Sequence, residues 1–344
     1  MRRRRLAYVC ALVTLLTLSP ATAAAKSGTS WAQAELKTVV AAGIMAKAAA
    51  ARPEDPLTRG ELETIVAGLM HTEAAAPSST SSAKVTMAAL DARLVTALGL
   101  ADSAKLFTQA ARTAGLAPPS RFGTEAVARL LGLRTNHPAS LDTLELSPGQ
   151  PATHAEAAYS AARVLQLGPQ DAQGLQELAA SFVLPALNPW QKKVLTTAVR
   201  FIGYPYVWGG ESEFTESPFG PQVHGGFDCS GFVWRVYKVE QYADGGSLQD
   251  MLQGRTTFAM SAEVPAANRI LFAKLQPADV IFFGAGGAKS KPKQVDHMGI
   301  YLGNGWFIHS SKYGVAVTTL SGWYAKRFAW GRRPLAEAGL VSPA

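Results

Sequence analysis

The strongest candidate for chemistry in this 344-residue chain is a cysteine at the start of a predicted helix. Cys229 precedes apolar residues at helical spacing, and glycines stand at 226 and 231 on either side of it. A helix start carries unpaired N–H groups and partial positive charge, so it favours a thiolate and can hold an oxyanion. Asp228 is the expected N-cap. A lone cysteine is usually a buried structural residue, but this position favours a nucleophile.

A nucleophilic cysteine needs a base, and two histidines lie in strand-like segments further along the chain. Alternating apolar residues predict strands around His297 and His309, joined by a glycine-rich turn. We predict a three-residue loop with Gly305 at positive φ and Leu302 opposite Trp306. This register puts both histidines on one face, diagonally adjacent. His297 would be the general base, and His309 would bond its other ring nitrogen.

Other polar residues are weaker candidates for these roles. Asp296 points to the opposite face of the strand from His297, so it is a poor orienting partner. His224 lies in a glycine- and proline-rich loop and is expected at the surface. We expect His137 to lie in a linker and His154 to be exposed in the first turn of a helix.

The first 25 residues have the pattern of a secretory signal peptide. Arg2–Arg5 form a cationic start, residues 6–18 an apolar stretch too short to span a bilayer, and a small-residue exit follows. We therefore expect a secreted, wall-associated protein that does not span the membrane. Cleavage would remove Cys10, leaving Cys229 as the one cysteine, which excludes a disulfide framework.

The charge and the remaining motifs exclude several functional classes. Removal of the signal peptide takes away four of the 33 basic residues and none of the 25 acidic ones, leaving a net charge of +4. Without a clustered basic stripe, nucleic-acid binding is not expected. The sequence also lacks metal-ligand spacings and phosphate-binding glycine loops, so we expect neither a metal nor an organic cofactor.

Composition divides the chain into two differently built parts. Of the 30 aromatic residues, 24 lie after residue 185, while alanine dominates the preceding part. We predict a signal peptide at 1–25, an all-α module at 26–184, an α+β catalytic domain at 185–334 and a tail at 335–344.

Three segments of the all-α module align on a threonine that precedes an apolar helical pattern. These threonines are Thr58, Thr86 and Thr153. Glu61 and Glu156 stand at capping-box spacing after the first and third of them, so each pair marks a helix start. The layout resembles surface-layer homology (SLH) repeats. That resemblance implies binding of secondary cell-wall polymer, with Arg59 and Glu61 near the ligand. The alternative is that the threonines and glutamates only cap helices.

Four motifs in the second part, in order, resemble those of the NlpC-type cell-wall cysteine peptidases. They occupy residues 203–210, 227–233, 275–283 and 297–310, within a match covering about 189–334. The resemblance implies a papain-like α+β fold, with a helix-start cysteine and an antiparallel sheet. It also implies cleavage of peptidoglycan stem peptides, usually between D-glutamate and the following diamino acid.

Carried onto this sequence, the resemblance assigns the site residues. Cys229 is the nucleophile, His297 the base and His309 the third polar residue, and Tyr206 lies beside the thiol. Asp228 and Ser230 are the candidates for holding the substrate's free amine or lining the cleft. These assignments leave two alternatives open: a cysteine amidase or acyltransferase of the same fold, and a non-catalytic wall-binding protein.

Two residues and one pair of loops carry further structural expectations. Ala278 stands where the family has glycine in a Pro-Gly-Asp turn, which suggests a negative φ. Trp208 is expected to pack against the domain. An acidic loop at 211–225 and a basic loop at 284–295 are expected to pair across the cleft and narrow it.

Overall fold

The computed structural model describes residues 29–73, 79, 81–137, 145–217 and 220–342. The predicted signal peptide lies outside these ranges. The N-terminal part is helical, as predicted. Its helices are α1 Gln33–Ala41, α2 Lys47–Ala50, α3 Arg59–Leu69, α4 Met87–Ala97, α5 Ala101–Thr113, α6 Phe122–Leu130, α7 His154–Val164 and α8 Pro169–Ser181.

The three threonine segments meet in a closed ring of backbone hydrogen bonds. Leu57 N–H donates to Ala152 O at 2.7 Å, Ala152 N–H to Val85 O at 2.8 Å, and Val85 N–H to Leu57 O at 3.0 Å. One residue after each ring member, a threonine side chain caps the next helix: Thr58 for α3, Thr86 for α4 and Thr153 for α7. The predicted helix starts are confirmed, and the ring relates them by an approximate threefold arrangement.

The two predicted capping boxes differ. Glu61 closes the first box, accepting the Thr58 backbone N–H at 2.9 Å. Glu156 turns inward instead, and its Oε1 bonds His137 Nε2 at 3.0 Å and accepts the Leu146 N–H at 3.3 Å. The box that Glu156 would close is therefore half formed, because other buried polar groups compete with the cap for the Glu156 carboxylate.

The expected surface position of His154 is wrong. Its side chain is 2% exposed, and Nδ1 lies 2.8 Å from the Arg52 carbonyl oxygen. His137 is also buried, with its ring stacked on Trp31 at a centroid distance of 3.7 Å. A carbonyl oxygen thus holds Nδ1 of His154, and the Glu156 carboxylate holds Nε2 of His137, whereas His137 Nδ1 has no hydrogen-bond partner among the described residues.

The C-terminal part combines helices with antiparallel strands, as predicted. Its helices are α9 Pro189–Arg200, α10 Cys229–Trp234, α11 Thr257–Ala262, α12 Gly322–Arg327 and α13 Pro334–Glu337. Its strands are β1 Glu211–Ser212, β2 Glu216–Ser217, β3 Gly220–Pro221, β4 Gly226–Phe227, β5 Val280–Gly284, β6 Val295–Gly303, β7 Trp306–Ser311, β8 Gly314–Thr319 and β9 Phe328–Arg332. The main sheet has the order β8-β7-β6-β5-β9, and α10 packs against β6 and β7.

One apolar core runs through both parts of the chain. Phe107 and Phe182 of the helical part contact Trp306 of β7, with ring centroids 5.8 and 5.0 Å apart. The segment before α9 contains the predicted boundary at residue 184, which stays a prediction because packing is continuous across it.

The β6–β7 hairpin has the predicted register with a different turn. Ile300 pairs with Ile308, and Tyr301 pairs with Phe307. Near the turn, Gly303 rather than Leu302 pairs with Trp306, because a bulge shifts the register by one residue. The loop is therefore the pair Asn304 and Gly305, with φ of 49° and 80°. The positive φ at Gly305 is confirmed, whereas the three-residue loop is wrong.

The expected negative φ at Ala278 is also wrong, since it is 70°. The Asp279 N–H donates to the Gln276 carbonyl at 3.0 Å, which closes a four-residue turn with Pro277 in its second position. A turn of this kind with positive φ at its third residue is type II. The chain accepts an alanine there, and Ala278 N–H donates to Tyr301 O at 2.8 Å.

Candidate active site

Cys229 begins α10, and its position follows from the residues on both sides. The Asp228 side chain accepts the Gly231 N–H at 2.5 Å through Oδ1, which confirms the predicted N-cap. Its Oδ2 accepts the Gly209 N–H at 2.9 Å, so the cap also holds the loop that follows Tyr206. The Cys229 side chain is buried at the first turn of α10.

The surroundings of Cys229 keep its thiol protonated at rest. Burial, and after it the neighbouring Asp228 carboxylate, raise the pKa of Cys229 to about 12. Hydrogen bonds from the backbone N–H groups of Met298 and Ser230 act in the opposite direction but are outweighed. The expected preference for a resting thiolate is therefore wrong, because desolvation exceeds the helix-start effect. The Met298 contact places the sulfur beside the strand that carries His297.

The two strand histidines form a short pair. His297 Nε2 lies 2.6 Å from His309 Nδ1, so the predicted shared face of β6 and β7 is confirmed. Burial lowers the pKa of His297 to about 4, opposed by the nearby Asp296 carboxylate. Burial, and then the neighbouring His297 ring, hold the pKa of His309 well below its usual value. Both rings are neutral near pH 7, so the pair can accept a proton.

Aromatic rings enclose the histidine pair. Phe283 lies 5.7 Å from the His297 ring, Phe307 4.8 Å from the His309 ring, and Tyr324 5.2 Å from His309. These rings supply the low-polarity surroundings that lower the imidazole pKa values. Strand alternation could have placed Phe283 and Phe307 here, but Tyr324 lies in the short helix α12 and gave no sequence signal.

Tyr206 lies near the thiol, as the motif implied. Burial raises the pKa of its hydroxyl, and the nearby Cys229 and Asp228 side chains raise it further. The phenol is therefore protonated and can donate a hydrogen bond. Trp208 does not pack as expected, since 89% of its side chain is exposed. Gly209, the residue after Trp208, has a φ of 73° and donates its N–H to the Asp228 side chain.

Arg255 is a residue of this site that the sequence did not indicate. Its Nη1 donates to Ser230 Oγ at 2.9 Å and to Asp228 Oδ1 at 3.3 Å, and its Nε donates to Glu211 Oε2 at 2.7 Å. Ser230 Oγ in turn donates to Asp228 Oδ1 at 2.9 Å. Asp228 and Ser230 thus lie together, with a guanidinium already bound to them.

The expected pairing of the acidic and basic loops is wrong for the first two of the acidic side chains. Glu211 is bound to Arg255, and Glu213 pairs with Arg235 at 3.1 Å. Arg235 directly follows α10, and Arg255 lies two residues before α11. These two arginines therefore occupy the carboxylates that were expected to pair with the 284–295 loop. That loop packs against α11.

The other predicted binding residues lie in the helical part. Arg59 and Glu61 line a cavity of about 630 Å³ between α2 and α3. The Arg59 side chain is exposed, while the Glu61 carboxylate is shared between the Thr58 cap and His154 Nε2, 3.2 Å away.

The described residue ranges contain neither a metal-binding cluster nor a membrane-spanning helix. Within them, no group of three or more His, Cys, Asp or Glu side chains is arranged to hold a metal ion. None of the helices in these ranges combines the length and apolar character needed to cross a bilayer.

Comparison with known proteins bears on the C-terminal part. Residues 203–333 match the NlpC/P60 family. Over 128 residues the chain is 27% identical to a gamma-D-glutamyl-L-lysine dipeptidyl-peptidase of Bacillus subtilis, covering 37% of this chain and 34% of the relative. Over 144 residues it is 34% identical to the murein DD-endopeptidase MepH of Escherichia coli, covering 41% of this chain and 45% of the relative.

A solved structure of an NlpC/P60 family protein from Bacillus cereus is 28% identical, with a TM-score of 0.32, covering 44% of this chain and 41% of that one. The chain thus spans less than half the length of each of these relatives. The C-terminal region of this chain is an NlpC/P60 domain.

Proposed function

We propose that the protein is a secreted cell-wall hydrolase that cuts peptidoglycan stem peptides after gamma-D-glutamate. The observation that carries the proposal is the arrangement of Cys229 at a helix start with the His297–His309 pair at 2.6 Å. The names of both relatives, a gamma-D-glutamyl-L-lysine dipeptidyl-peptidase and a murein DD-endopeptidase, support peptidoglycan as the substrate class.

In the proposed mechanism the thiol and the base are both neutral before attack. As Cys229 Sγ attacks the amide carbonyl, its proton moves to His297 Nδ1, and the His297 Nε2–H donates to His309 Nδ1. The backbone N–H of Cys229 helps to hold the oxyanion. His297 then protonates the leaving amine, and water activated by His297 releases the acyl group from the sulfur.

The remaining site residues would form the wall of the cleft. Tyr206 offers a hydroxyl donor near the sulfur, where it can orient the scissile amide. Asp228 and Ser230 would contact the substrate together with Arg255, so the face they offer is less negative than a free carboxylate. A substrate amine would have to share Asp228 with that guanidinium.

Mass spectrometry of products tests the proposal. Wild type, Cys229→Ala and Cys229→Ser would be incubated with defined stem peptides and with intact sacculi. We expect new fragments ending in D-glutamate with wild type and none with either variant. Cleavage that persists in Cys229→Ala would contradict the assigned nucleophile.

The two alternatives give different products. An acyltransferase would yield adducts when an amine acceptor is added, without release of free D-glutamate carboxyl groups. A wall-binding protein would give no product of either kind while still sedimenting with sacculi.

We also propose export and wall anchoring. The N-terminal pattern at residues 1–25 supports export, and N-terminal sequencing of protein from the culture medium tests it. The exposed Arg59 at the cavity beside Glu61 supports contact of an SLH-like module with an anionic wall polymer. Arg59→Ala should weaken binding to purified wall polymer, whereas Lys37→Ala, which removes another exposed cation of the helical part, should not.

A further inference from the structure

The helical part and the NlpC/P60 domain meet at a fully buried arginine. Arg129 lies in α6, and its side chain has no exposed surface. Two buried carboxylates of the helical part form ion pairs with it, Glu125 at 3.3 Å and Glu145 at 2.9 Å. Its remaining donors cross to the other part: Nη2 donates to Gly203 O at 2.5 Å, and Nη1 donates to Tyr313 O.

The two carbonyl groups belong to segments that carry site residues. Gly203 lies three residues before Tyr206, and Tyr313 lies in the turn directly after the strand that carries His309. The segments are also tied to each other, because Gly203 N–H donates to Val315 O at 2.9 Å. The guanidinium of Arg129 therefore spans two adjoining segments and fixes their separation.

The same segments hold the start of the cysteine helix. Phe227 lies two residues before Cys229, and its N–H donates to Pro205 O at 3.1 Å. Its carbonyl accepts the Ser310 hydroxyl at 2.6 Å, and Ser310 directly follows His309. The three segments that carry Tyr206, Cys229 and His309 thus share one set of hydrogen bonds, with Arg129 at its edge.

The backbone of the NlpC/P60 domain packs closely against this arginine and its carboxylates. A Cβ at Gly203, where φ is 89°, would lie 2.4 Å from the Glu125 carboxyl carbon. A Cβ at Gly314 would lie 2.5 Å from Arg129 Nη1. Both glycines let the backbone of the NlpC/P60 domain approach the ion pair of the helical part directly.

We propose that Arg129 is a positioning residue for the active site, and that the helical part is a structural component of that site as well as an anchor. Arg129 holds the Gly203 and Tyr313 carbonyls, and through them sets the positions of Tyr206 and His309. The role in catalysis rests on the proposed function, whereas the positioning itself can be measured without substrate.

Arg129→Lys is the test, and Arg134→Lys is its matched control. Arg134 is equally buried and shares Glu145 with Arg129, but its bonds to Asp91 and to the Leu146 carbonyl stay within the helical part. Lysine keeps the charge and loses the planar fork that reaches two carbonyls at once. Stem-peptide cleavage would be measured in the full chain, at a temperature where both variants are folded.

We expect Arg129→Lys to lower kcat about tenfold to a hundredfold, with KM within about threefold, because a small misplacement of catalytic groups costs that much. Arg134→Lys should keep kcat within about twofold. Equal kcat in the two variants would overturn the proposal. If Arg129→Lys does not fold, Tyr313→Gly is used in its place. A glycine there makes the turn whose carbonyl accepts from Arg129 more flexible, so this variant should also lower kcat.

A spectroscopic measurement separates this inference from the proposed function. The 2.6 Å His297–His309 bond should give a downfield imidazole N–H resonance. The resonance should shift or disappear in Arg129→Lys and remain in Arg134→Lys, even if wild type cleaves no stem peptide. An unchanged resonance in Arg129→Lys would overturn the positioning role, whatever the activity.

Discussion

The helical part and the active site both bury polar side chains, but they treat charge in opposite ways. In the helical part, Arg129 and Arg134 lie fully buried against carboxylates, so each guanidinium group is paired with an acidic side chain. In the active site, burial keeps Cys229, His297 and His309 neutral instead. Buried groups either pair or lose their charge.

The difference explains what each region can do. Separating the partners of a buried ion pair would leave each charge buried and unpaired, at a large cost in free energy. Such a pair therefore holds its two side chains in a fixed arrangement. Neutral thiol and imidazole groups can exchange a proton without first breaking an ion pair, so they are suited to acid–base chemistry. The hydrogen bonds of Arg129 connect the two regions: paired charge on one side holds neutral, reactive groups on the other.

The largest effect should come from removing the base. His297→Ala is expected to lower kcat/KM for stem-peptide cleavage by about a thousandfold or more, because general-base catalysis contributes about 10²–10⁴. His309→Ala should cost less, about tenfold to a hundredfold, because it orients the base without receiving the thiol proton. Steady-state kinetics on one defined peptide would measure both, and equal losses would show that the pair acts as a unit.

Breaking a buried ion pair should have the next largest effect, on stability. Arg134→Met leaves Asp91 buried without its cation and Glu145 with Arg129 alone, which should lower the free energy of unfolding by about 3–5 kcal/mol. The control is Arg93→Met, which breaks the half-exposed pair with Glu63 and should cost at most about 1 kcal/mol. Urea unfolding followed by circular dichroism measures both. Similar losses would mean that burial does not govern the strength of these pairs.

The sequence predicted the parts of the site that depend on local periodicity. Strand alternation was enough to put His297 and His309 on one face, and helical spacing was enough to put Cys229 behind an Asp228 cap. The bulge near Trp306 escaped prediction because one extra residue in a turn leaves the pattern on either side unchanged.

Long-range polar partners could not be predicted in the same way. Arg255 binds Glu211, 44 residues earlier, and Arg134 binds Asp91, 43 residues earlier. Nothing in the local pattern of either arginine distinguishes it from an exposed one. The burial of His154 could not be predicted for the same reason, because its ring bonds the Arg52 carbonyl of another repeat, 102 residues earlier.

The neutral state of the site predicts a slow, pH-dependent alkylation. Because burial raises the pKa of Cys229 to about 12, its reaction with iodoacetamide should accelerate about tenfold per pH unit between about pH 7 and 10. Mass spectrometry of the peptide containing Cys229 gives the rate, with Cys229→Ala as the blank. A plateau below about pH 8 would instead indicate a thiolate–imidazolium pair, and the contrast with the ion-paired helical part would disappear.

The smallest effect concerns the backbone of the turn at Ala278, whose φ is 70°. Ala278→Gly relieves left-handed strain of about 1–2 kcal/mol. It also adds about 0.5–1 kcal/mol of backbone entropy cost and removes a buried methyl worth about 0.8 kcal/mol. The free energy of unfolding should therefore stay within about 0.5 kcal/mol of wild type. Ala89→Gly, at an exposed position of α4 without such strain, should lower it by about 1 kcal/mol. A loss at Ala278 equal to that at Ala89 would mean that the turn stores no strain and that its type is set by Pro277 alone.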